Sequence, residues 1–231
     1  MALMFSIAQR LVHVRFRSLT LGLSLVMFAG LGTAEVSPTQ SWSFDEDQPN
    51  SLPAGFQVGT LFDGRPAGEW KVVATTKAKS PSHVLAQLQN KGAEHAYKLV
   101  LIDGTQSSDM DVTTSFFAVD GKADMGGGIV WRAADDRHYY LARANPLEQN
   151  VRMYRVVNGV RHMLQNLDHI IEVGKWHRLH VVAKGCRLQV YYDQHPVFDL
   201  CDDRFKEGRI GLWTKSDAVT YFDELRLVIH K

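Results

Sequence analysis

The acid pairs of this chain are mostly adjacent in sequence: Asp135-Asp136, Asp202-Asp203 and Asp223-Glu224. Hydrolysis of a glycosidic bond by the usual route needs two carboxyl groups, about 5–5.5 Å apart for retention or about 6.5–9.5 Å for inversion. Adjacent strand residues point to opposite faces, so none of these pairs is a dyad carried by one strand. Asp109 and Asp111 share a face, but they stand at a strand entrance, where solvated acids are common. No strand of the E-x-D-x-x-E type is present. Among the ten histidines, His177 and His180 lie three apart. On a strand that odd offset sends them to opposite faces, which argues against a metal pair. The glycines Gly126–Gly128 enter a strand, not a helix, and so lack the amide N-terminus of a phosphate cradle. No G-x-S-x-G nucleophile elbow occurs. Neither a cofactor nor a metal is expected.

Basic and aromatic residues concentrate in GGGIVWRAADDRHYYLARA, residues 126–144. A hairpin with a five-residue loop, Ala133–Arg137, pairs Ile129 with Leu141 and Trp131 with Tyr139 as one apolar, core-facing side. The other side then carries Arg132, His138 and Tyr140, between Val130 and Ala142. Aromatic rings under C–H faces, with Arg and Asp hydrogen-bonded to hydroxyls, are what hold a saccharide. Arg132, His138 and Tyr140 are therefore the first candidate ligand set. Trp213, Lys215 and Asp217, at a strand end and in the following loop, form the second.

These side chains must be positioned by strands. Short runs rich in Val, Tyr, Trp and Phe alternate with Gly, Asn, Asp and Pro. About fourteen such runs fit the chain, from Ser41–Phe44 to Thr220–Ile229. Asn158-Gly159 between two of them signals a type I′ hairpin turn. Glu46–Arg65 shows no clear element and reads as a loop. The expected fold is all-β, a two-sheet antiparallel jelly-roll sandwich.

The N-terminus reads differently. Arg10, Arg15 and Arg17 precede an apolar run, Leu19–Leu31, that closes in Gly32-Thr33-Ala34. This pattern is that of a secretory signal peptide over residues 1–34, cleaved near Ala34. The run is shorter than the roughly 20 apolar residues of a spanning helix, so no membrane span is expected in the mature chain. Residues 35–231 then form one domain in the periplasm or outside the cell. Cleavage takes three arginines and no acids from 26 basic and 25 acidic residues, leaving 23 against 25. That balance offers no footprint for nucleic acid. Nothing points to an oligomeric state. In an exported chain, Cys186 and Cys201 are expected to form a disulfide stapling the hairpin they flank. Pairing Leu188 and Val190 with Leu200 and Phe198 sets Cys201 opposite Arg187, next to Cys186, with a three-residue loop Asp193–His195.

GKWHRLHVVAKGCRLQVYYD resembles the strand–turn–strand signature of laminin-G and concanavalin A-like lectin/glucanase sandwiches. EGRIGLWTKSDAVTYFDELRL resembles the closing strands of the bacterial 3-keto-disaccharide hydrolase domain group within that superfamily, and GGGIVWRAADDRHYYLARA fits the same group. The resemblance runs from about Ser41 to Ile229 and implies a concanavalin A-like sandwich. Such sandwiches often bind calcium, yet no oxygen-rich loop stands out here. Because the glucanase acid motif is missing, the expected function is carbohydrate or glycan binding in an exported domain. A periplasmic hydrolase of (3-keto-)disaccharides and a structural or protein-interaction module are the alternatives.

Overall fold

The computed structural model describes residues 37–230; the leader expected over residues 1–34 and the C-terminal Lys231 lie outside the described residues. Fifteen strands follow in order: β1 (Thr39–Trp42), β2 (Phe56–Val58), β3 (Trp70–Ala74), β4 (His83–Gln87), β5 (Tyr97–Ile102), β6 (Asp109–Asp120), β7 (Gly127–Asp135), β8 (His138–Asn145), β9 (Asn150–Val157), β10 (Val160–Asp168), β11 (Trp176–Lys184), β12 (Arg187–Tyr192), β13 (His195–Cys201), β14 (Arg209–Lys215) and β15 (Val219–His230). Among the described residues no helix is long and apolar enough to cross a membrane.

One sheet runs β13-β12-β11-β6-β15-β4-β3, with β1 beside the second half of the long β15; the other runs β10-β9-β8-β7-β14-β5-β2. Every pairing within them is antiparallel. The fold is the expected two-sheet sandwich. Alternation puts one side of each strand between the sheets. In β11 the inward side is Leu179, Val181 and Ala183, meeting Trp131, Tyr140, Phe116 and Phe222 in one core. Each such large apolar side chain contributes roughly 1.5–3 kcal/mol by leaving water. The stretch read as a loop contains β2, whose Phe56 pairs with Ile102. Three residues are too few for alternation to show in sequence.

The expected turns hold. Asn158 and Gly159 both take positive φ (52° and 77°) between β9 and β10, as a type I′ turn requires. Cys186 and Cys201 are bonded, with Cα atoms 4.8 Å apart. Leu188 pairs with Leu200, Val190 with Phe198 and Arg187 with Cys201, as expected. The tip, however, is a two-residue turn, Asp193-Gln194, with both φ positive; a register shift beyond Val190 takes up the difference.

The β7–β8 hairpin departs from expectation. Trp131 pairs with Tyr140, Val130 with Leu141 and Ile129 with Ala142, and the turn is a tight one between Asp135 and His138. Between Trp131 and Asp135 three residues oppose the single Tyr139. This bulge starts at Arg132, which takes a left-handed φ of 47°. A one-residue slip exchanges the two faces of a strand. Tyr140 therefore turns into the core and stacks on Trp131, at 5.5 Å between ring centroids, while Tyr139, Leu141 and Arg143 face outward. Arg132 is also buried, at 1% exposure. Its guanidinium donates to the carbonyls of Ser108 (2.8 Å), Phe205 (3.2 Å) and Gly185 (2.8 Å) and lies 3.6 Å from Asp109. The proposed ligand face of the hairpin is thus an interior clamp.

Two predictions follow from buried charge. Replacing Arg132 with Ala orphans three carbonyls, and urea unfolding should show a loss of about 3–5 kcal/mol; Arg132→Lys should not restore it, because an ammonium lacks the guanidinium fork. His177, buried behind β11, has Nδ1 2.8 Å from Asp193 Oδ2 and donates from Nε2 to the Glu172 carbonyl at 2.8 Å. Both nitrogens thus face acceptors, an arrangement that suits the imidazolium. Burial pushes its pKa down, but Asp193 and the Glu172 carbonyl outweigh it and set it above 6.5. A raised folded pKa stabilises fully below the unfolded value and loses that contribution as pH climbs through the folded one. The stability gap between the parent and His177→Asn, followed by urea midpoint, should therefore be widest below pH 6.5 and shrink as pH rises above it.

Candidate functional site

The outer face of the seven-stranded sheet is built by the residues that the β7–β8 register turns away from the core. Along it Leu99, Leu101, Val130, Tyr139, Leu141, Tyr154, Val156 and Trp213 form a second buried cluster, with Ala67 and Leu61 of the segment after β2 packed on them. One cross-strand row sets Leu99 beside Trp213, Trp213 beside Gly128, Gly128 beside Arg143 and Arg143 beside Arg152. Gly128 is required there: a Cβ would come within 3.0 Å of Arg143 Cβ and 2.8 Å of the Ala142 carbonyl.

The face is curled. Arg161 on β10 donates from Nε to the Tyr97 hydroxyl on β5 at 3.0 Å. Four strands separate β10 from β5, so in a flat sheet they would stand about 24 Å apart. Contact between their side chains means that the sheet closes like a half-pipe. Within it the Arg161 guanidinium lies 4.8 Å from the rings of Tyr97 and Tyr154 and 5.7 Å from that of Trp213. A planar group over three rings shows what such a platform accommodates.

Beyond the rings the face becomes polar. Arg143, buried to 3% exposure, donates to Asn150 Oδ1 at 2.5 Å and to Glu148 Oε2 at 2.7 Å. Arg152 donates to the same Glu148 oxygen at 2.8 Å. Lys215 stands 3.2 Å from Asp124, which also accepts from Asn145 Nδ2 at 3.1 Å. Burial pushes the Asp124 carboxyl up, against the opposing pull of Lys215 and Arg143. Burial would raise Glu148 too, but Arg143 and Arg152 hold it below the ordinary carboxylate range. Two carboxylates disposed around one guanidinium therefore differ in proton affinity. The indole N–H of Trp213 and the Tyr139 hydroxyl, both buried on this face, have no hydrogen-bond partner.

The second candidate set from the sequence falls here in part. Trp213 and Lys215 lie on the face. Asp217 instead accepts the backbone N–H groups of Lys122 (2.8 Å), Ala123 (3.1 Å) and Asp124 (2.9 Å), and so holds the loop that presents Asp124. Of the first set, His138 bridges two hairpin ends, with Nδ1 2.9 Å from Asp135 and Nε2 3.0 Å from Asn158. The Tyr140 hydroxyl donates to Asp202, which also pairs with Arg155 at 2.7 Å. The structure thus gathers Trp213 and Lys215 with residues the sequence reading passed over: Asp124, Arg143, Glu148, Arg152, Tyr154 and Arg161. Alternation would have found Arg143 and Tyr154 had the bulge been known, since both follow the parity of Tyr139. The doubled acids of the sequence are dispersed. Asp223, for example, accepts the N–H groups of Lys79 and Ser80 at 2.9 Å each. Among the described residues no group of three or more His, Cys, Asp or Glu side chains is arranged to hold a metal ion.

No family model matches the chain. Over 128 residues it is 27% identical to the levanase of Bacillus subtilis (strain 168), a match covering 54% of this chain and 18% of the levanase. The chain thus spans less than a fifth of that relative's length. Among solved structures, a carbohydrate-binding module, CBM66 from Bacillus subtilis, superposes with a TM-score of 0.61 at 22% identity, over 74% of this chain and 94% of the module. The GH43 protein BlXynB from Bacillus licheniformis superposes with a TM-score of 0.56 at 14% identity, over 82% of this chain and 39% of that protein. A Bacillus subtilis protein of unknown function with a galectin-like fold gives 0.50 at 10% identity, over 76% of this chain and all of that one. These likenesses establish the fold alone: a two-sheet jelly-roll β-sandwich.

Proposed function

We propose that the chain is an exported carbohydrate-binding domain whose ligand seats in the curled outer face of the seven-stranded sheet. One observation carries the reading: Tyr97, Tyr154 and Trp213 gather under one planar group, directly beside a network of fixed donors and acceptors. Rings beneath and charge-assisted hydrogen bonds beside are the two requirements of sugar recognition. The part-exposed edge of that network is Glu148 and Arg152, free to reach hydroxyls, while buried Arg143 holds Glu148 in place. Similarity to a levanase and to a carbohydrate-binding module supports the same reading, and levan is the first ligand to test. The disulfide and the signal-like N-terminus support export.

A catalytic reading, hydrolysis of (3-keto-)disaccharides by the domain group the sequence resembles, rests on a separate observation. Asp124 and Glu148 flank Arg143 with proton affinities pushed apart, as an acid and its partner carboxylate require. We hold it second, because Asp124 is 4% exposed and engaged by Lys215.

Calorimetric titration separates the outcomes. Loss of a charge-assisted hydrogen bond costs about 1.5–3 kcal/mol, so Glu148→Gln and Arg152→Ala should each weaken binding of levan oligosaccharides roughly 10- to 100-fold. A protein that binds no neutral oligosaccharide on a glycan array, or a Glu148→Gln variant with unchanged affinity, rules out this face as the site. Sugar release from disaccharides decides between the readings. The binding reading expects none; the catalytic one expects release that Asp124→Asn abolishes while ligand binding persists.

A further inference from the structure

The outer face of the other sheet, on the opposite side of the sandwich, carries a groove of about 430 Å³. That size lies within the ~300–1,000 Å³ range of small-ligand clefts. Its floor is a single cross-strand row: Tyr191 pairs with His180, His180 with Thr113 and Thr113 with Arg226. Arg178 stands two residues from His180 on the same face and lines the groove with them. The Tyr191 ring stacks on the His180 imidazole at 5.1 Å. The groove also holds one carboxylate, Asp111, whose Oδ1 lies 3.1 Å from His230 Nε2; His180 Nε2 is 4.0 Å from its Oδ2, and burial holds that imidazole below its ordinary pKa.

The two arginines differ from those of the curled face. Arg143 and Arg152 are both bonded to Glu148, whereas the guanidiniums of Arg178 and Arg226 make no ion pair or hydrogen bond to any described residue. Two exposed guanidiniums with no ion-pair partner among the described residues therefore line one groove beside an aromatic ring. A bound oxyanion can take paired hydrogen bonds from either fork, because guanidinium matches carboxylate and sulfate in geometry. The adjoining Tyr191 ring, the Thr113 hydroxyl and the Gln194 amide supply the stacking surface and the neutral donors and acceptors that a sugar ring needs. We propose that this groove is a second saccharide site, selective for sugar units that carry a carboxylate or a sulfate.

The proposal does not rest on the function assigned to the curled face, and the test keeps the two apart. The purified protein is titrated calorimetrically with oligogalacturonate, with a heparin-derived oligosaccharide, with a neutral levan oligosaccharide and with inorganic phosphate. At least one of the two anionic oligosaccharides should bind, with an affinity that falls as salt is raised. The double variant Arg178→Gln, Arg226→Gln should lose that affinity about 10- to 100-fold, two charge-assisted contacts being removed, yet unfold at the parent midpoint, since neither guanidinium has a partner to lose. It should also bind the neutral oligosaccharide like the parent, whereas Glu148→Gln should leave anionic binding untouched. A preference for the carboxylated or the sulfated probe identifies the oxyanion, and either supports the site. The proposal is overturned if neither anionic oligosaccharide binds, if the double variant binds them as the parent does, or if phosphate alone binds as tightly as they do.

Discussion

The guanidinium of Arg132 fixes the identity of the candidate site without touching it. Its fork ties the carbonyls of Ser108, Gly185 and Phe205, three segments from different parts of the chain, to one point at the end of the sandwich. To reach them Arg132 takes a left-handed φ, which costs of order 1–3 kcal/mol in a non-glycine residue. The bulge that results sets the pairing of β7 with β8, and that pairing decides which half of β8 faces outward. With one residue more or fewer, Arg143 would point into the core and Tyr140 into solvent. Gly208 protects the same point, because a Cβ there would fall 2.4 Å from the Arg132 carbonyl carbon. Folding and function are joined in that one interaction.

Much of this architecture could be read from residues alone. The strands, the Asn158-Gly159 turn and the pairing of Leu188 with Leu200 follow from period-two alternation and turn chemistry, which are local. The disulfide followed from two cysteines flanking one hairpin of an exported chain, although the register itself sets Cys201 opposite Arg187 and not Cys186. What could not be read was non-local. Arg132 has a side chain suited to a ligand, and only the three carbonyls brought to it by the segment before β6, by the β11–β12 turn and by the segment before β14 show that it is consumed. Tyr140 was misplaced by the same bulge. Asp217 follows Trp213 and Lys215 closely in sequence, yet a turn of the chain sends it to the Lys122–Asp124 loop. Asp124 and Glu148 were invisible for the converse reason: they lie in loops whose meeting on one rim is a property of the closed sheet.

Both outer faces of the sandwich carry arginines, and the difference between them is whether charge is already matched. On the curled face each buried charge has a partner, Arg143 and Arg152 on Glu148 and Lys215 on Asp124. Buried ion pairs of this kind add little net stability, since desolvation offsets their attraction. Their effect is rigidity. Side chains held by one another lose little further entropy when a ligand arrives, which lowers the cost of binding. A ligand bringing a net charge would have to break one of those pairs, whereas hydroxyl groups can share the remaining lone pairs and N–H groups. The geometry therefore favours an uncharged polyol ring.

Arg161 sharpens that argument. It comes from an edge strand and lies across three rings, of which Tyr154 and Trp213 are themselves buried. Its contact with each ring is worth about 0.5–2 kcal/mol depending on how dry the site is. A ligand that displaced it would have to match the sum of those contacts and rehydrate the cation. A ligand that sat against its outer side would keep them and gain its unused N–H donors. The second arrangement is the less costly one. It turns Arg161 from an obstacle into a donor on β10, the edge strand beside the β9 that carries Arg152, so that both arginines stand on one side of the half-pipe.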